Sequence, residues 1–329
     1  MTLVSVGIPT FNRAAKLARA AESVLRQTHG DIELVISDNA SPDDTERLCR
    51  ELVARDGRVR YLRAPANRGP SANFNTVIGE MRGEYVMLLS DDDWLEETYV
   101  ERCLEALLAD PARSLVSGRA RYLDGERTAH LGLLSQFSSP DPGARVLDYL
   151  RSVDENGLFY GLSQRDTLRV AAPLRNALGN DWLLVASILV QGQAITIETT
   201  QINRELGGTS ADFAKLTATL GLPRIQARAP HLVMAWETLA EILWRGRAFR
   251  ALAPRARVGL AARAALAVLD WRSDAWHATA PTAAALRGRR GGAPLWRGYL
   301  WVTRRFGATH AQLPDEPTTQ PSPRSPREG

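Results

Sequence analysis

Residues 85–94 read YVMLLSDDDW, an apolar run that ends in three consecutive aspartates. A short apolar run bounded by polar residues is typical of a buried strand. Three like charges at the end of a strand repel one another, and a divalent cation or a network of hydrogen-bond donors relieves that repulsion. Oxygen ligands of this kind suit Mg²⁺ or Mn²⁺, ions that commonly bind together with a phosphate. The stretch therefore predicts a site for a phosphate compound at the end of a buried strand.

Strand and helix patterns alternate on both sides of this stretch. Apolar runs predict strands at 3–8, 32–36, 59–62 and 84–89, and amphipathic patterns predict helices at 14–27, 43–55, 71–81 and 95–109. Alternation of this kind predicts an α/β fold with a mostly parallel sheet and helices on both faces. In such sheets, ligands bind outside the carboxyl ends of the strands.

Polar loops follow four of the predicted strands at that edge. They occupy residues 9–13, 37–41, 67–73 and 90–93, and they are rich in Asn, Asp, Ser and Arg. One such loop can be ordinary turn chemistry. Four loops at the same sheet edge favour a binding site.

We expect the rest of the chain to contain the second half of a globular domain, a helical extension and a tail. Less regular β structure is predicted for 114–148, with a turn at 140–143, followed by helices at 163–170 and 181–190 and a strand at 194–198. Helical patterns dominate from residue 216, with amphipathic stretches at 231–244 and 258–271. We predict a globular domain at 1–210 (halves 1–112 and 113–210), a basic helical extension at 211–311 and a disordered Pro-rich tail at 312–329.

Composition places the chain among ordinary globular proteins. It has 329 residues, 44% of them hydrophobic, and a formal charge of +4. Its arginines concentrate after residue 224. Such a basic half can meet an anionic partner or form a solvated helix surface, and we expect no nucleic-acid partner. The presence of only two cysteines predicts a reducing compartment, and the lack of a signal-peptide pattern predicts a cytoplasmic location. The longest apolar runs also fall short of the ~20 residues that a membrane span needs.

Two common nucleotide-binding motifs are missing from the loop after the first strand. A dinucleotide fingerprint would place glycines there, and residues 9–13 read PTFNR instead. The sequence also lacks the pattern G-x-x-x-x-G-K-[ST] of a phosphate-binding P-loop. Dehydrogenase and P-loop NTPase functions are therefore disfavoured.

The motifs taken together resemble those of a family 2 glycosyltransferase with the GT-A fold. They are PTFNR at 9–13, QT at 27–28, SDNAS at 37–41, NRG at 67–69 and SDDD at 90–93, in this order. The resemblance is close from residue 3 to about residue 110 and looser to about residue 208. It implies a nucleotide-sugar donor, a divalent metal ion (Mg²⁺ or Mn²⁺) on the donor diphosphate, and inverting single displacement. It makes 1–210 the catalytic domain, with a nucleotide-sugar-binding half at 1–112 and an acceptor half at 113–210.

The resemblance also implies which residues bind the donor and the metal. The donor-binding set is Pro9, Thr10, Phe11, Asn12, Arg13, Asp38, Asn67, Gly69, Asn73 and Asp91, with Asp38 at the edge of the base. Asp92 and Asp93 are the predicted metal ligands, although the usual D-x-D-D spacing would put an acid at Ser90 and leaves the register open. In extended backbone Asp91 and Asp93 would share one face and Asp92 the other. A cap of the helix at 95–109 is the structural alternative, but a cap needs only one acid.

Residues 180–182, NDW, resemble the acidic acceptor-site motif of the family. The resemblance makes Asp181 the base that removes a proton from the acceptor hydroxyl. Many relatives carry two adjacent acids there, and Asn180 stands in place of the first. The alternative role for Asp181 is that of an acid favoured by the dipole at a helix N-terminus. Arg204 and the glycine loop at 207–210 fall where relatives often have a mobile segment over the diphosphate, although flexible-loop composition also explains the glycines.

The sequence leaves several partners and functions open. The acceptor is the hydroxyl of a glycan, a lipid-linked glycan or a small molecule. Residues 295–306, LWRGYLWVTRRF, combine aromatics with arginines and predict either peripheral contact with the inner face of a membrane or a helix packed on the catalytic domain. The alternative functions are a non-catalytic assembly subunit on a degenerate transferase fold and, less favoured, a sugar-phosphate nucleotidyltransferase, which would carry a Gly-rich basic loop after the first strand.

Overall fold

The computed structural model of the chain describes residues 2–153, 156–206 and 213–270, which lie within one compact unit. The predictions for 207–210, 271–311 (including 295–306) and 312–329 lie outside the described residues. Among the described residues, no helix has the length and apolar character needed to cross a membrane.

The first sheet is built from the N-terminal strands. In chain order the elements are β1 (Val4–Thr10), α1 (Ala14–Leu25), β2 (Ile32–Asp38), α2 (Thr45–Arg55), β3 (Val59–Arg63), α3 (Pro70–Glu80) and β4 (Tyr85–Leu88). These four strands are parallel in the order β3-β2-β1-β4. The predicted parallel arrangement is confirmed, and the carboxyl ends of β1, β2 and β4 open onto the same edge.

A second sheet follows the acidic cluster. Its elements and the intervening helices are β5 (Trp94–Leu95), α4 (Tyr99–Leu108), β6 (Arg113–Asp124), β7 (Arg127–Leu131), β8 (Gln136–Phe137), α5 (Pro142–Ser152), β9 (Ser163–Gln164), α6 (Arg165–Ala171), α7 (Asn180–Gln191) and β10 (Gln193–Glu205). Its order is β5-β10-β6-β7, with β8 also on β10, while β9 joins the first sheet antiparallel to β4. The short strand β5 pairs with β10 and so brings the end of β10 beside the acidic cluster.

Two boundaries predicted from the sequence are wrong. The helix predicted at 95–109 begins only at Tyr99, because Trp94 and Leu95 pair with β10 as a strand. None of the three aspartates therefore caps that helix. The turn predicted at 140–143 is the start of α5, where the side chain of Asp141 accepts hydrogen bonds from the amides of Gly143 and Ala144.

The core has one hydrophobic cluster on each face of the first sheet. Val4, Val6 and Ile8 alternate along β1 toward α1 and α4, whereas the other face packs against α3, α5 and α7. Gly7 permits close contact of α3 with β1, since a Cβ added there would lie 1.9 Å from Cγ1 of Val77. This contact holds β1 and α3 in the positions that place their ends at the shared edge.

The helices after residue 212 pack on the acceptor half. They are α8 (Phe213–Thr219), α9 (Pro230–Ala240) and α10 (Pro254–Leu269), and a π-helical turn, Glu241–Arg245, continues α9. Buried residues of α9 and α10 join the same hydrophobic cluster as those of α5 and α7. The described part of the predicted extension therefore shares a core with the predicted catalytic domain.

Candidate active site

A guanidinium lies between two of the three consecutive aspartates. Nη1 of Arg13 is 3.0 Å from Oδ1 of Asp91 and 2.8 Å from Oδ2 of Asp92. Asp91 is buried and also accepts a 2.8 Å hydrogen bond from the hydroxyl of Thr10. Burial raises the pKa of Asp91, and the charge of Arg13 opposes that rise. The ends of β1 and β4 are therefore joined by charge as well as by sheet pairing.

The acids lie in a turn rather than in extended backbone. The amide of Asp93 donates to the carbonyl of Ser90 at 3.3 Å, which closes the turn. Asp92 is on the side of Ser90, whose hydroxyl donates to it, but Asp91 and Asp93 bind different arginines. The prediction that Asp91 and Asp93 share one face rested on alternation in extended chain, which does not describe this turn.

Asp93 pairs with an arginine from the second sheet. Nε of Arg204 lies 3.2 Å from Oδ2 of Asp93, and its Nη1 donates to the hydroxyl of Tyr122 at 3.0 Å. The guanidinium carbon also lies 5.0 Å from the ring centroid of Tyr160. Arg204 is on β10, two positions beyond the residue that pairs with Leu95 of β5, which explains how a residue so distant in sequence reaches the cluster. Its side chain brings positive charge to the acidic cluster, where the metal and the donor diphosphate are predicted to bind.

The pKa of Asp93 is raised to about 7, chiefly by burial, although the charge of Arg204 opposes the rise. A protonated carboxyl is a poor metal ligand, so the proton competes with the cation. If Asp93 binds the metal, the affinity for nucleotide in the presence of Mn²⁺ should rise by roughly tenfold between about pH 6 and pH 8. Calorimetric titration at both pH values measures this rise.

The Asp93→Asn variant is the control for that pH dependence, since the nucleotide phosphate itself titrates near pH 6. Only the part of the rise that this variant loses belongs to Asp93. Equal pH profiles for the two proteins would show that the Asp93–Arg204 pair is structural and that Asp93 is not a metal ligand.

Asp38 lies at the end of β2 in a fully buried cage of donors. Its carboxylate accepts hydrogen bonds from the amide of Ser41 at 2.8 Å, from the hydroxyl of Tyr61 at 2.8 Å and from Arg63. The three donors fill three of the about four acceptor positions of a carboxylate, and the side chain has no exposed surface. Asp38 is thus held in a fixed orientation at the edge of the first sheet.

The loops after β1, β2 and β3 are tied to one another by polar side chains. The amide of Asn12 donates to Oγ of Ser41 at 2.8 Å, and Asn12 adopts a positive φ of 55°. The buried side chain of Asn73 donates to the carbonyls of Thr10 and Ser37. Among the predicted donor-binding residues, Asn73 therefore lies between the ends of two strands, where its polar atoms bind protein.

Other predicted donor-binding residues line the same edge. Pro9 and Thr10 are the buried last residues of β1, and the ring of Phe11 is exposed directly beyond them. Oδ1 of Asn67 accepts hydrogen bonds from Asn39 and from the amide of Gly69, whose φ is +82°. The predicted set is thus brought to one edge, with the exposed Phe11 ring able to stack on a planar base.

Asp181 is in the first turn of α7, where the sequence predicted it. Its Oδ2 accepts a hydrogen bond from the side chain of Asn156 at 2.9 Å. Burial raises the pKa of Asp181, opposed by the bond from Asn156, and the positive charge of Arg204 also acts on Asp181. A carboxylate with a raised pKa is a stronger base than one in water. Arg204 therefore lowers both the pKa of Asp93 and that of Asp181, in each case against the effect of burial.

The residues at the cluster fit a hard divalent cation. Mg²⁺ and Mn²⁺ bind nucleotides through one or two carboxylates together with phosphate oxygens and waters. Asp92 is the accessible member, with 27% of its side chain exposed, whereas Asp91 and Asp93 are buried. Within the described residues, no three His, Cys, Asp or Glu side chains converge on one point, so a cation here would take few ligands from the protein. Asp92 is the first candidate among them.

Four residues that the sequence interpretation did not assign to the site contribute to it. They are Tyr61, Arg63, Asn156 and Tyr160. The sequence VRYLR of β3 could have indicated Tyr61 and Arg63, because residues two positions apart in a strand lie on the same face. Arg63 also pairs in register with Asp38. Asn156 and Tyr160 reach the site through tertiary packing, and no local pattern marks them.

Residues 5–160 match the family model "Glycosyl transferase family 2". Chondroitin synthase of Escherichia coli is 38% identical over 124 residues, which are 38% of this chain and 18% of that protein. Succinoglycan biosynthesis protein ExoO of Rhizobium meliloti is 30% identical over 207 residues, which are 59% of this chain and 58% of that protein. Just under half of this chain therefore matches the family 2 glycosyltransferase model, and the chain spans less than two thirds of the length of these relatives.

The fold is similar to that of solved glycosyltransferase structures. S. aureus TarS 1–349 aligns with a TM-score of 0.59 at 13% identity, covering 91% of this chain and 79% of that one. Its complex with UDP-GlcNAc aligns with a TM-score of 0.59 at 14% identity, covering 93% and 81%. The predicted GT-A fold is therefore confirmed, with its parallel-rich sheet and C-terminal helices.

Proposed function

We propose that this chain is an inverting glycosyltransferase that moves a sugar from a nucleotide-sugar donor to an acceptor hydroxyl. The observations that support it are the pairing of Arg204 with Asp93 at the acidic cluster and the position of Asp181, whose carboxylate is bound by Asn156 in the first turn of α7. Inverting transfer needs positive charge at the leaving diphosphate and a base at the acceptor. In this proposal Arg204 supplies the positive charge and Asp181 is the base.

The donor would lie along the carboxyl ends of β1, β2 and β4. Its base would stack on Phe11 next to Asp38, whose buried carboxylate would have to become accessible in order to bond the edge of the base. Its ribose and phosphates would extend toward Asp91 and Arg13. Nucleotide sugars are the first class to test, because S. aureus TarS, which shares the fold, has been solved with UDP and with UDP-GlcNAc.

The proposed reaction is a single displacement. The acceptor oxygen attacks the anomeric carbon, the bond from that carbon to the diphosphate oxygen breaks with its electron pair leaving on the diphosphate, and the hydroxyl proton passes to Asp181. Asn156 orients the carboxylate of Asp181 through the 2.9 Å hydrogen bond. Arg204 and Arg13 supply positive charge where the diphosphate gains negative charge.

A divalent cation held by Asp92, with Asp91 or Asp93, would supply Lewis-acid stabilisation of the leaving diphosphate. Arg13 binds both Asp91 and Asp92. It could therefore move from these carboxylates to the phosphate when a cation takes its place.

The acceptor is a glycan, a lipid-linked glycan or a small-molecule hydroxyl. One relative, of Campylobacter jejuni and 38% identical over 96 residues (29% of this chain, 31% of that protein), is named "GalNAc(5)-diNAcBac-PP-undecaprenol beta-1,3-glucosyltransferase". We therefore favour a lipid-linked glycan, presented at the inner face of a membrane. Contact through residues 295–306, which lie outside the described residues, belongs to this proposal.

A panel of nucleotide sugars with Mn²⁺ tests the function. We expect at least one donor to release its nucleoside diphosphate, with release lost on chelation of the metal. Tight metal-dependent donor binding without any release, even with glycan acceptors present, would favour the non-catalytic assembly subunit. Formation of a nucleotide sugar from a sugar phosphate and a nucleoside triphosphate, with release of pyrophosphate, would favour the nucleotidyltransferase.

A further inference from the structure

Three large apolar side chains form an exposed patch on α9 and the π-helical turn that follows it. They are Leu232, Trp236 and Trp244, which are 63%, 55% and 50% exposed. Leu232 and Trp236 are four residues apart and so lie on one face of α9. The rings of Trp236 and Trp244 are in edge contact at 6.0 Å between centroids. We call these three residues the tryptophan patch.

The segment 213–270, which carries the tryptophan patch, is strongly basic. Residues 213–270 contain nine lysines and arginines but only three acids. Two of the acids are already paired, Glu237 with Arg245 and Glu241 with Arg175, each at 2.6 Å. The exposed arginines of this region are Arg224, Arg228, Arg247, Arg250, Arg255 and Arg263. An anionic surface is the complementary partner for this charge.

The opposite face of α9 packs directly against the acceptor side of the active site. Met234 is buried, and it lies about 200° around the helix from both Leu232 and Trp236. It contacts Gly179 so closely that a Cβ added there would lie 2.9 Å from the Met234 methyl. Gly179 is two residues before Asp181. A surface bound by the tryptophan patch would therefore lie one helix away from the proposed base.

We propose that the tryptophan patch is a docking surface for an anionic lipid bilayer. Leu232, Trp236 and Trp244 would insert at the level of the headgroups, where indole rings are favoured, and the arginines around them would bind lipid phosphates. The inference rests on the proposed function in one respect, since docking here would present a lipid-linked acceptor to Asp181. Binding to lipid is itself measured without any transfer reaction.

Co-sedimentation of the full chain with vesicles tests the proposal. We expect binding to phosphatidylcholine vesicles that contain roughly one third phosphatidylglycerol, little binding to phosphatidylcholine alone, and weaker binding in high salt. The variant Leu232→Ser/Trp236→Ser/Trp244→Ser should bind the anionic vesicles at least about tenfold more weakly, because it loses most of the inserting apolar surface.

A single substitution provides a matched control. Leu108 on α4 is 58% exposed and lies far from the patch in sequence. Leu108→Ser should leave vesicle binding unchanged, whereas Leu232→Ser should weaken it. If the triple variant fails to fold, vesicles made of lipids with brominated acyl chains provide a second measurement on the unmodified protein. Such lipids should quench its tryptophan fluorescence in anionic vesicles and leave it unchanged in neutral ones.

Three outcomes would overturn the proposal. The first is unchanged vesicle binding by a folded triple variant, which would assign any binding to another part of the chain such as 295–306. The second is equal binding to neutral and anionic vesicles. The third is a change of oligomeric state in the triple variant without loss of vesicle binding, which would make the patch a contact with a second copy. Failure of the donor panel with intact vesicle binding would instead reject the proposed function alone.

Discussion

Replacement of Asp181 by asparagine is expected to lower the rate of sugar transfer by about a thousandfold while leaving donor affinity nearly unchanged. General-base catalysis contributes roughly 10²–10⁴-fold, and an amide cannot accept the proton of the acceptor hydroxyl. The substitution keeps the shape of the side chain, and its oxygen can still accept the hydrogen bond from Asn156. Steady-state transfer and calorimetric donor binding, measured on the same preparation, separate the two effects.

A helix-dipole role for Asp181 predicts a different result. In that case Asp181→Asn would cost roughly 0.3–1 kcal/mol of stability, and transfer would persist. Asp166 offers the matched control, because it is also an acid in the first turn of a helix and is exposed on α6. Asp166→Asn should change neither transfer nor donor binding. Retained transfer by Asp181→Asn would place the base elsewhere.

The part of the site that the sequence could predict depends on parallel strands. The carboxyl ends of β1, β2 and β4 must meet at one edge once those strands are parallel neighbours, so Thr10, Asp38 and Asp91 could be grouped from strand order and polar loops alone. The hydrogen bond from Thr10 to Asp91, across 81 positions of sequence, is a direct consequence of that geometry.

The second half of the site depends on pairing that no local pattern encodes. Arg204 reaches Asp93 only because β5, two residues long, pairs antiparallel with β10. A two-residue strand has too few positions to show alternation, and residues 94–95 also fit the start of the next helix. The helix predicted at 95–109 therefore included Leu95 of β5, and the pairing that explains the position of Arg204 could not be derived from the sequence.

The start of α5 shows a second limit of sequence patterns. Residues 140–143, PDPG, are typical of a turn, and the same residue types begin helices. Only the apolar face that follows distinguishes the two, since Val146, Leu147 and Leu150 must be buried for α5 to be stable. Their partners lie on α7 and α10, which are distant in sequence.

Asp92 can be tested against its neighbours because the three acids have different surroundings. Asp91 stays paired with Arg13 and Asp93 with Arg204 when Asp92 is removed, so Asp92→Ala should preserve the fold. Asp110, which is 36% exposed and lies 3.6 Å from Arg113, is the matched control for loss of an arginine-paired acid. Asp110→Ala should leave nucleotide binding unchanged at every metal concentration.

Asp92→Ala is expected to abolish the gain in nucleotide affinity that Mn²⁺ provides. Asp92 is the accessible carboxylate, and a cation that has few protein ligands depends strongly on each of them. Titration of a nucleoside diphosphate with and without Mn²⁺ should therefore give two different curves for the unmodified protein and one curve for the variant. Binding without metal should rise slightly or stay constant, because the variant leaves Arg13 with one aspartate fewer to neutralise and so more available to phosphate. If the variant keeps the full Mn²⁺ effect, Asp91 or Asp93 holds the cation and the pairing of Asp92 with Arg13 is structural.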